Sequence, residues 1–184
     1  FIAGADITEF NKPLEDPDLN AVIAALEDCP KPVVAAIHGT ALGGGLETAL
    51  GCHYRCAVPS AQVGLPEVKL GIIPGAGGTQ RLPRIAGVQA ALEIITSGDP
   101  IPAAKAHALG IIDEIIDEKL EGAAAFAEKI VAEGRPLRRI RDLDDKLVDA
   151  RNNSSVFDEA RKALAKSKRG YEAPQHGINA IEAA

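Results

Sequence analysis

An α/β fold is what this sequence of 184 residues predicts. Three observations predict it: apolar runs of strand length alternate with segments of helical spacing, glycine and proline punctuate the joins, and a glycine cluster stands where a strand hands over to a helix. The length suits one domain with its own core. Apolar residues make up 46% and charged residues 25%, ordinary globular proportions, while aromatics are only 3% and Trp is absent. The core therefore falls to Ala, Ile, Leu and Val.

Each element follows in order. Residues 19–29 carry apolar positions at helical spacing and are closed by Pro30 and Pro32, which cannot continue a helix. Residues 33–37 form a short apolar run, the mark of a buried strand. Gly43, Gly44 and Gly45 then open a helix over residues 46–50, whose first turn has no side chains blocking its backbone amides. Strand-like pieces follow near 54–58 and 62–65, then a Gly/Pro-rich loop at 71–78. Helices are expected near 79–96 and 102–109, a strand at 111–116 and an Ala-rich helix at 119–133. After Gly134, Arg135 and Pro136 the composition shifts to charged amphipathic helix, with candidates at 156–168 and 175–184. The expected division is a core of residues 1–134 and a helical segment or linker of residues 135–184.

Composition also excludes. A net charge of −6 repels a phosphate backbone, and the few aromatics leave single-stranded nucleic acid without stacking platforms, so no nucleic-acid partner is expected. The apolar runs are far short of a bilayer span. Three cysteines cannot all pair, and no segment has the order of a signal peptide, which points to a reducing, cytoplasmic compartment. The first residue is Phe1 and no Met occurs, as expected of a piece of a longer chain.

Two glycine-rich segments invite a dinucleotide-binding reading, and both fail it. That motif needs a third glycine three residues after the second; Thr48 and Gln80 stand there instead. Cys52, His53 and Cys56 offer three donors with no second cluster, whereas structural zinc takes four, so no metal is expected. His38, His107 and His176 lie near no nucleophile motif and receive no role. Glu47 and Glu67 are the candidates for proton transfer. Glu47 sits in the first turn of its helix, where the dipole favours the carboxylate. Glu67 follows Leu65 and Pro66 and precedes Val68, an apolar setting that raises a carboxyl pKa. A pair pushed in opposite directions is what a base and an acid in one site require.

The run His38-Gly-Thr-Ala-Leu-Gly-Gly-Gly-Leu-Glu47, followed by Gly64-Leu-Pro-Glu67-Val-Lys-Leu-Gly-Ile-Ile-Pro-Gly-Ala-Gly-Gly-Thr-Gln-Arg-Leu82, resembles the enoyl-CoA hydratase/isomerase (crotonase) superfamily. Ala3-Gly-Ala-Asp6-Ile resembles its first oxyanion segment. Arg135-Pro-Leu-Arg-Arg-Ile140, with Lys168-Arg-Gly170 and Glu172-Ala-Pro174, is similar to the hydratase portion of multifunctional fatty-acid oxidation enzymes.

The resemblance implies a crotonase-like spiral of ββα turns, truncated at the N-terminus, with a helical C-terminal tail. It implies that the backbone N–H groups of Ala5 and Gly44 bind a thioester oxygen, that Glu47 deprotonates water and that Glu67 delivers a proton to the α-carbon. The expected activity is hydration of 2-trans-enoyl-CoA in β-oxidation, with isomerisation as a companion. The alternatives are a non-catalytic acyl-CoA-binding scaffold and, more weakly, an acyl-CoA hydrolase. The expected partner is an acyl-CoA thioester, whose CoA is part of the substrate, and no metal or redox cofactor is called for. A 3-hydroxyacyl-CoA dehydrogenase domain, covalent or assembled, and a homo-oligomer are further expectations, and the family also admits a peroxisomal location. Residues 135–169 carry 11 Lys and Arg against 6 Asp and Glu, a cationic stretch expected to border the CoA phosphates or another domain.

Overall fold

The structure is a computed structural model that describes residues 1–4, 16–117, 120–167 and 170–184. Helix α1 (Leu19–Glu27) starts on Asp18, whose carboxylate accepts the Ala21 N–H at 2.8 Å. A cap of this kind is worth about 1 kcal/mol. Strands β1 (Val34–Ile37) and β2 (Thr40–Leu42) lead into helix α2 (Gly44–Gly51). Strands β3 (Tyr54–Ala57) and β4 (Gln62–Gly64) repeat the pattern, followed by a 3-10 turn at Pro66–Leu70 and helices α3 (Gly78–Ala86) and α4 (Val88–Ser97).

The two ββα units are stacked in register. β1 pairs parallel with β3, Val34 opposite Tyr54, and β2 pairs parallel with β4, Thr40 opposite Gln62. Each strand thus lies beside its counterpart one turn later, which is the geometry of a spiral. Strand β5 (Ile101–Pro102) closes the second sheet antiparallel to β4, and β6 (Glu114–Ile115) continues the first sheet parallel to β3. Between them runs α5 (Ala103–Ala108), and α6 (Leu120–Ala132) follows.

Most elements fall where the sequence places them, and the differences include a shortened strand, a divided helix and strands that the sequence does not mark. The strand expected at 111–116 is ordered as a ladder only over Glu114–Ile115, because Ile111 and Ile112 turn fully into the core after Gly110. The helical stretch near 79–96 is two helices, broken at Gly87, which takes φ 90°. β2 was hidden in the sequence by the glycines that follow it.

The core is aliphatic. Ile37, Leu46, Leu50, Val63, Leu65 and Ile95 are essentially inaccessible and belong to one cluster. Each such side chain contributes roughly 1.5–3 kcal/mol on burial. Ile140, Leu147, Phe157, Ile178 and Ile181 join that same cluster. They come from a 3-10 turn at Ile140–Asp142, another at Asp145–Leu147, and helices α8 (Ser155–Ser167) and α9 (Ala173–Glu182), with the short α7 (Val148–Asn152) between.

Arginines of this C-terminal stretch pair with the chain's own acids. Arg138 pairs with Asp113, Arg139 and Arg141 with Asp28, Arg151 with Asp144, and Arg161 with Glu182. Lys146 donates to the Ile85 and Leu109 carbonyls at 2.6 and 3.3 Å. Arg138, Arg139, Arg141 and Lys146 thus fasten this segment to the core, while Arg151 and Arg161 pair within it. Among the described residues no helix is long and apolar enough to cross a membrane.

Candidate active site

Two stacked units bring Glu47 and Glu67 to one place. Gly43 follows β2 with its N–H bonded to the Gly64 carbonyl of β4 at 3.0 Å, so the turn into α2 lies directly beside the turn into the 3-10 segment. Gly43 takes φ 55°, a conformation costly for any residue with a Cβ. A Cβ there would also approach Glu67 Oε1 to 3.1 Å. Glu47, one turn into α2, donates its own N–H to the Gly43 carbonyl at 3.0 Å. Both carboxyls thus converge on the start of α2.

Their environments differ. Glu47 is 2% exposed, and its Oε1 accepts two backbone N–H bonds, from Ala76 and Gly78, both at 2.8 Å. Gly78 is glycine because that carboxylate comes so close: a Cβ would meet Glu47 Oε1 at 3.0 Å. Glu67 Oε2 is buried with no hydrogen-bond partner among the described residues. Burial pushes the Glu67 carboxyl up to about 7, with a further push from the nearby Glu47 charge. Burial also raises Glu47, against the pull of the two amides and of Arg81.

The expectation of opposite shifts is corrected. Desolvation of a nearly inaccessible carboxyl outweighs the helix dipole, so both move up and they separate by degree. Two amides and Arg81 hold Glu47 back, while only a hydrogen bond from its own backbone restrains Glu67.

Gly44 is the first residue of α2, where an N–H has no acceptor within its own helix. The partner expected for it, Ala5, lies outside the described residues. The strand-like approach to it is visible: the Leu42 N–H donates to the Ile2 carbonyl at 3.0 Å, which lays residues 1–4 along β2.

The remaining candidates take structural places. His53 is fully buried, accepting the Val33 N–H on Nδ1 at 3.0 Å and donating from Nε2 to the Glu27 carbonyl at 3.2 Å. With both ring nitrogens engaged it has no lone pair for a metal. No cluster of His, Cys, Asp and Glu suited to a metal occurs among the described residues.

Sequence reasoning missed Glu27 and Arg81. Glu27 is 1% exposed and forms a two-pronged ion pair with Arg81. The signal was present, since Glu27 follows buried Ile23 by four residues and shares its helix face. An acid on the apolar face of a helix calls for a buried partner.

Comparison with known proteins bears on this geometry. The family model described as enoyl-CoA hydratase/isomerase matches residues 1–177. The chain is 47% identical over 187 residues to the peroxisomal bifunctional enzyme of Danio rerio, a match covering 100% of this chain and 26% of that protein. It is 50% identical over 143 residues to a probable enoyl-CoA hydratase of Bacillus subtilis, covering 70% of this chain and 55% of the relative. Among solved structures, enoyl-CoA hydratase from Bacillus anthracis superposes with a TM-score of 0.63 at 37% identity, covering 94% of this chain and 71% of that one. The chain spans about a quarter of the length of the bifunctional relative.

Proposed function

The chain belongs to the enoyl-CoA hydratase/isomerase family, and from that premise we propose that it adds water syn across the double bond of 2-trans-enoyl-CoA thioesters in fatty-acid β-oxidation. The observation that carries this reading is the pairing of two buried carboxyls in unlike surroundings at the start of α2. Glu47 is anchored through one oxygen by two amides, whereas Glu67 has a free buried oxygen and a pKa near 7.

In the proposed reaction Glu47, as carboxylate, takes a proton from water while the water oxygen bonds to the β-carbon. The π electrons move toward the thioester, and negative charge grows on its carbonyl oxygen. The Gly44 N–H, with that of Ala5, receives this charge. Donors fixed in place for the transition state need not reorganise, and one of them is typically worth about 3–4 kcal/mol. Glu67, protonated, gives its proton to the α-carbon, and the product is a 3-hydroxyacyl-CoA. A carboxyl with a pKa near 7 is suited to donate at neutral pH. The same group, taking a proton from one carbon and returning it to another, supports isomerisation of 3-enoyl to 2-enoyl thioesters as a second activity.

The division into a site-bearing core of residues 1–134 and a bracing segment of residues 135–184 is part of this proposal. So is a dehydrogenase domain that would oxidise the 3-hydroxy product, as the resemblance of residues 135–140 and 168–174 to multifunctional fatty-acid oxidation enzymes implies; the Danio rerio relative is named a bifunctional enzyme. The compartment proposed is a reducing one, cytoplasmic or peroxisomal.

The test is binding measured beside turnover. Calorimetry with acetoacetyl-CoA and loss of the conjugated-thioester absorbance of crotonyl-CoA are followed on the same preparation. Binding with hydration supports the proposal; binding without hydration supports an acyl-CoA-binding scaffold, and release of free thiol supports a hydrolase.

A further inference from the structure

Taking Glu47 as the base proposed above, we infer that Arg81 is its positioning residue, acting through the loop that grips Glu47 and not by touching substrate. The Arg81 guanidinium, 14% exposed, joins three pieces of chain. Its Nε and Nη2 donate to the two oxygens of Glu27 at 2.9 and 2.8 Å. Its Nη1 donates to the Ala76 carbonyl at 3.1 Å. Ala76 also supplies, from its N–H, one of the two donors to Glu47 Oε1. A single loop residue therefore faces the guanidinium with its carbonyl and the base with its amide. Gly77, at φ 91°, packs so tightly on Arg81 Nη1 that a Cβ would collide with it.

The far end of this chain of contacts is fixed as well. Arg141 Nη1 reaches Glu27 Oε2 at 3.2 Å, and Arg139 Nε and His53 Nε2 meet the Glu27 carbonyl at 2.9 and 3.2 Å. Elements α1, α3 and the C-terminal segment thus converge to hold one arginine, and that arginine holds the loop.

The consequence for Glu47 is chemical. Charged groups facing it are Arg81 from α3 and Glu67 from the 3-10 turn. Removing Arg81 deletes a positive charge beside a buried carboxylate and frees the loop that aims two amides at it. Both effects favour the protonated form, which cannot accept a proton from water. Freeing the loop also loosens the remaining oxygen's aim, and an error of about 1 Å in a reacting group can cost roughly 10²-fold in rate.

The test labels the glutamate carboxyls with carbon-13 and follows the Glu47 titration by NMR, its resonance identified by its loss in Glu47→Gln. Wild type, Arg81→Gln and Arg81→Lys are compared, alongside crotonyl-CoA hydration across pH. In folded Arg81→Gln the Glu47 midpoint should rise, and kcat at pH 7 should fall roughly 10- to 100-fold with KM little changed. Arg81→Lys, which keeps the charge but not the fork, should recover part of both. An unchanged Glu47 midpoint in the folded variants, with reduced thermal stability as the only effect, would overturn the inference. If Arg81→Gln does not fold, Arg81→Lys decides by the same readings. The titration requires no turnover: hydration that survives Glu47→Gln refutes the base assignment, a failure separate from an unmoved midpoint.

Discussion

Glu67 shows how one side chain can be read as both chemistry and stability. Its ordinary pKa of 4.5 is raised to about 7 in the folded chain, chiefly by burial. Between those values the unfolded chain is ionised while the folded one holds a proton, so rising pH removes stability over that window and then levels off. Glu67→Gln has no such charge to bury. We predict that its melting temperature exceeds that of wild type by more at pH 8 than at pH 5, measured by calorimetry in matched buffers; an equal difference at both would mean that the carboxyl is solvated. The apolar neighbours Leu65 and Val68 made this shift legible from sequence. That of Glu47 was misread because its helix position was visible while its near-complete burial came from the loop carrying Ala76 and Gly78, some thirty residues away.

At the scale of elements, the start of α2 concentrates the proposed chemistry. Proline is tolerated at the first residue of a helix, where its missing N–H has no helical acceptor to lose. Gly44→Pro therefore deletes the proposed oxyanion donor while leaving α2 able to form, with Leu19 Cδ2, 3.0 Å from the site of a Cβ, the side chain that must give way. The expected outcome is a helical circular dichroism spectrum, retained CoA binding and hydration lower by roughly 10²-fold or more. Normal hydration by the folded variant would reduce Gly44 to a packing residue.

A second element-scale expectation concerns Arg55 on β3, which is fully buried. It donates to the carbonyls of Ile111 and Cys52, both at 2.7 Å, and of Ala49 at 3.3 Å, besides pairing with Asp113 at 3.3 Å. Arg55→Met should lose about 3–5 kcal/mol in urea unfolding, because those acceptors stay buried without donors. A loss under about 1 kcal/mol would show that water replaces the guanidinium. Helices and apolar strands were legible because period and punctuation are local. The two-residue strands β5 and β6 were not, since their bounds depend on which backbone lies alongside.

Across the whole molecule, stacked ββα turns bring two distant carboxyls to one helix start, and the C-terminal segment locks that arrangement from outside. The sequence showed the charge contrast between core and tail but not its use, because opposite charges attract a neighbouring segment as readily as a phosphate. Arg138→Ala combined with Arg139→Ala should leave CoA affinity and its salt dependence unchanged while lowering stability by about 1 kcal/mol. Weaker CoA binding with a shallower salt slope would instead assign the tail a phosphate-binding role.

The most direct measurement is the rate of crotonyl-CoA hydration by wild type, Glu47→Gln, Glu67→Gln and the double variant, each first shown to be folded. Glutamine keeps the size of the side chain and removes the proton transfer. Each single change should lower the rate by about 10²-fold or more. The double variant should lose less than the product of the two, because both groups serve one water and one transition state. Near-wild-type hydration in either folded single variant would contradict the proposed pair of carboxyls.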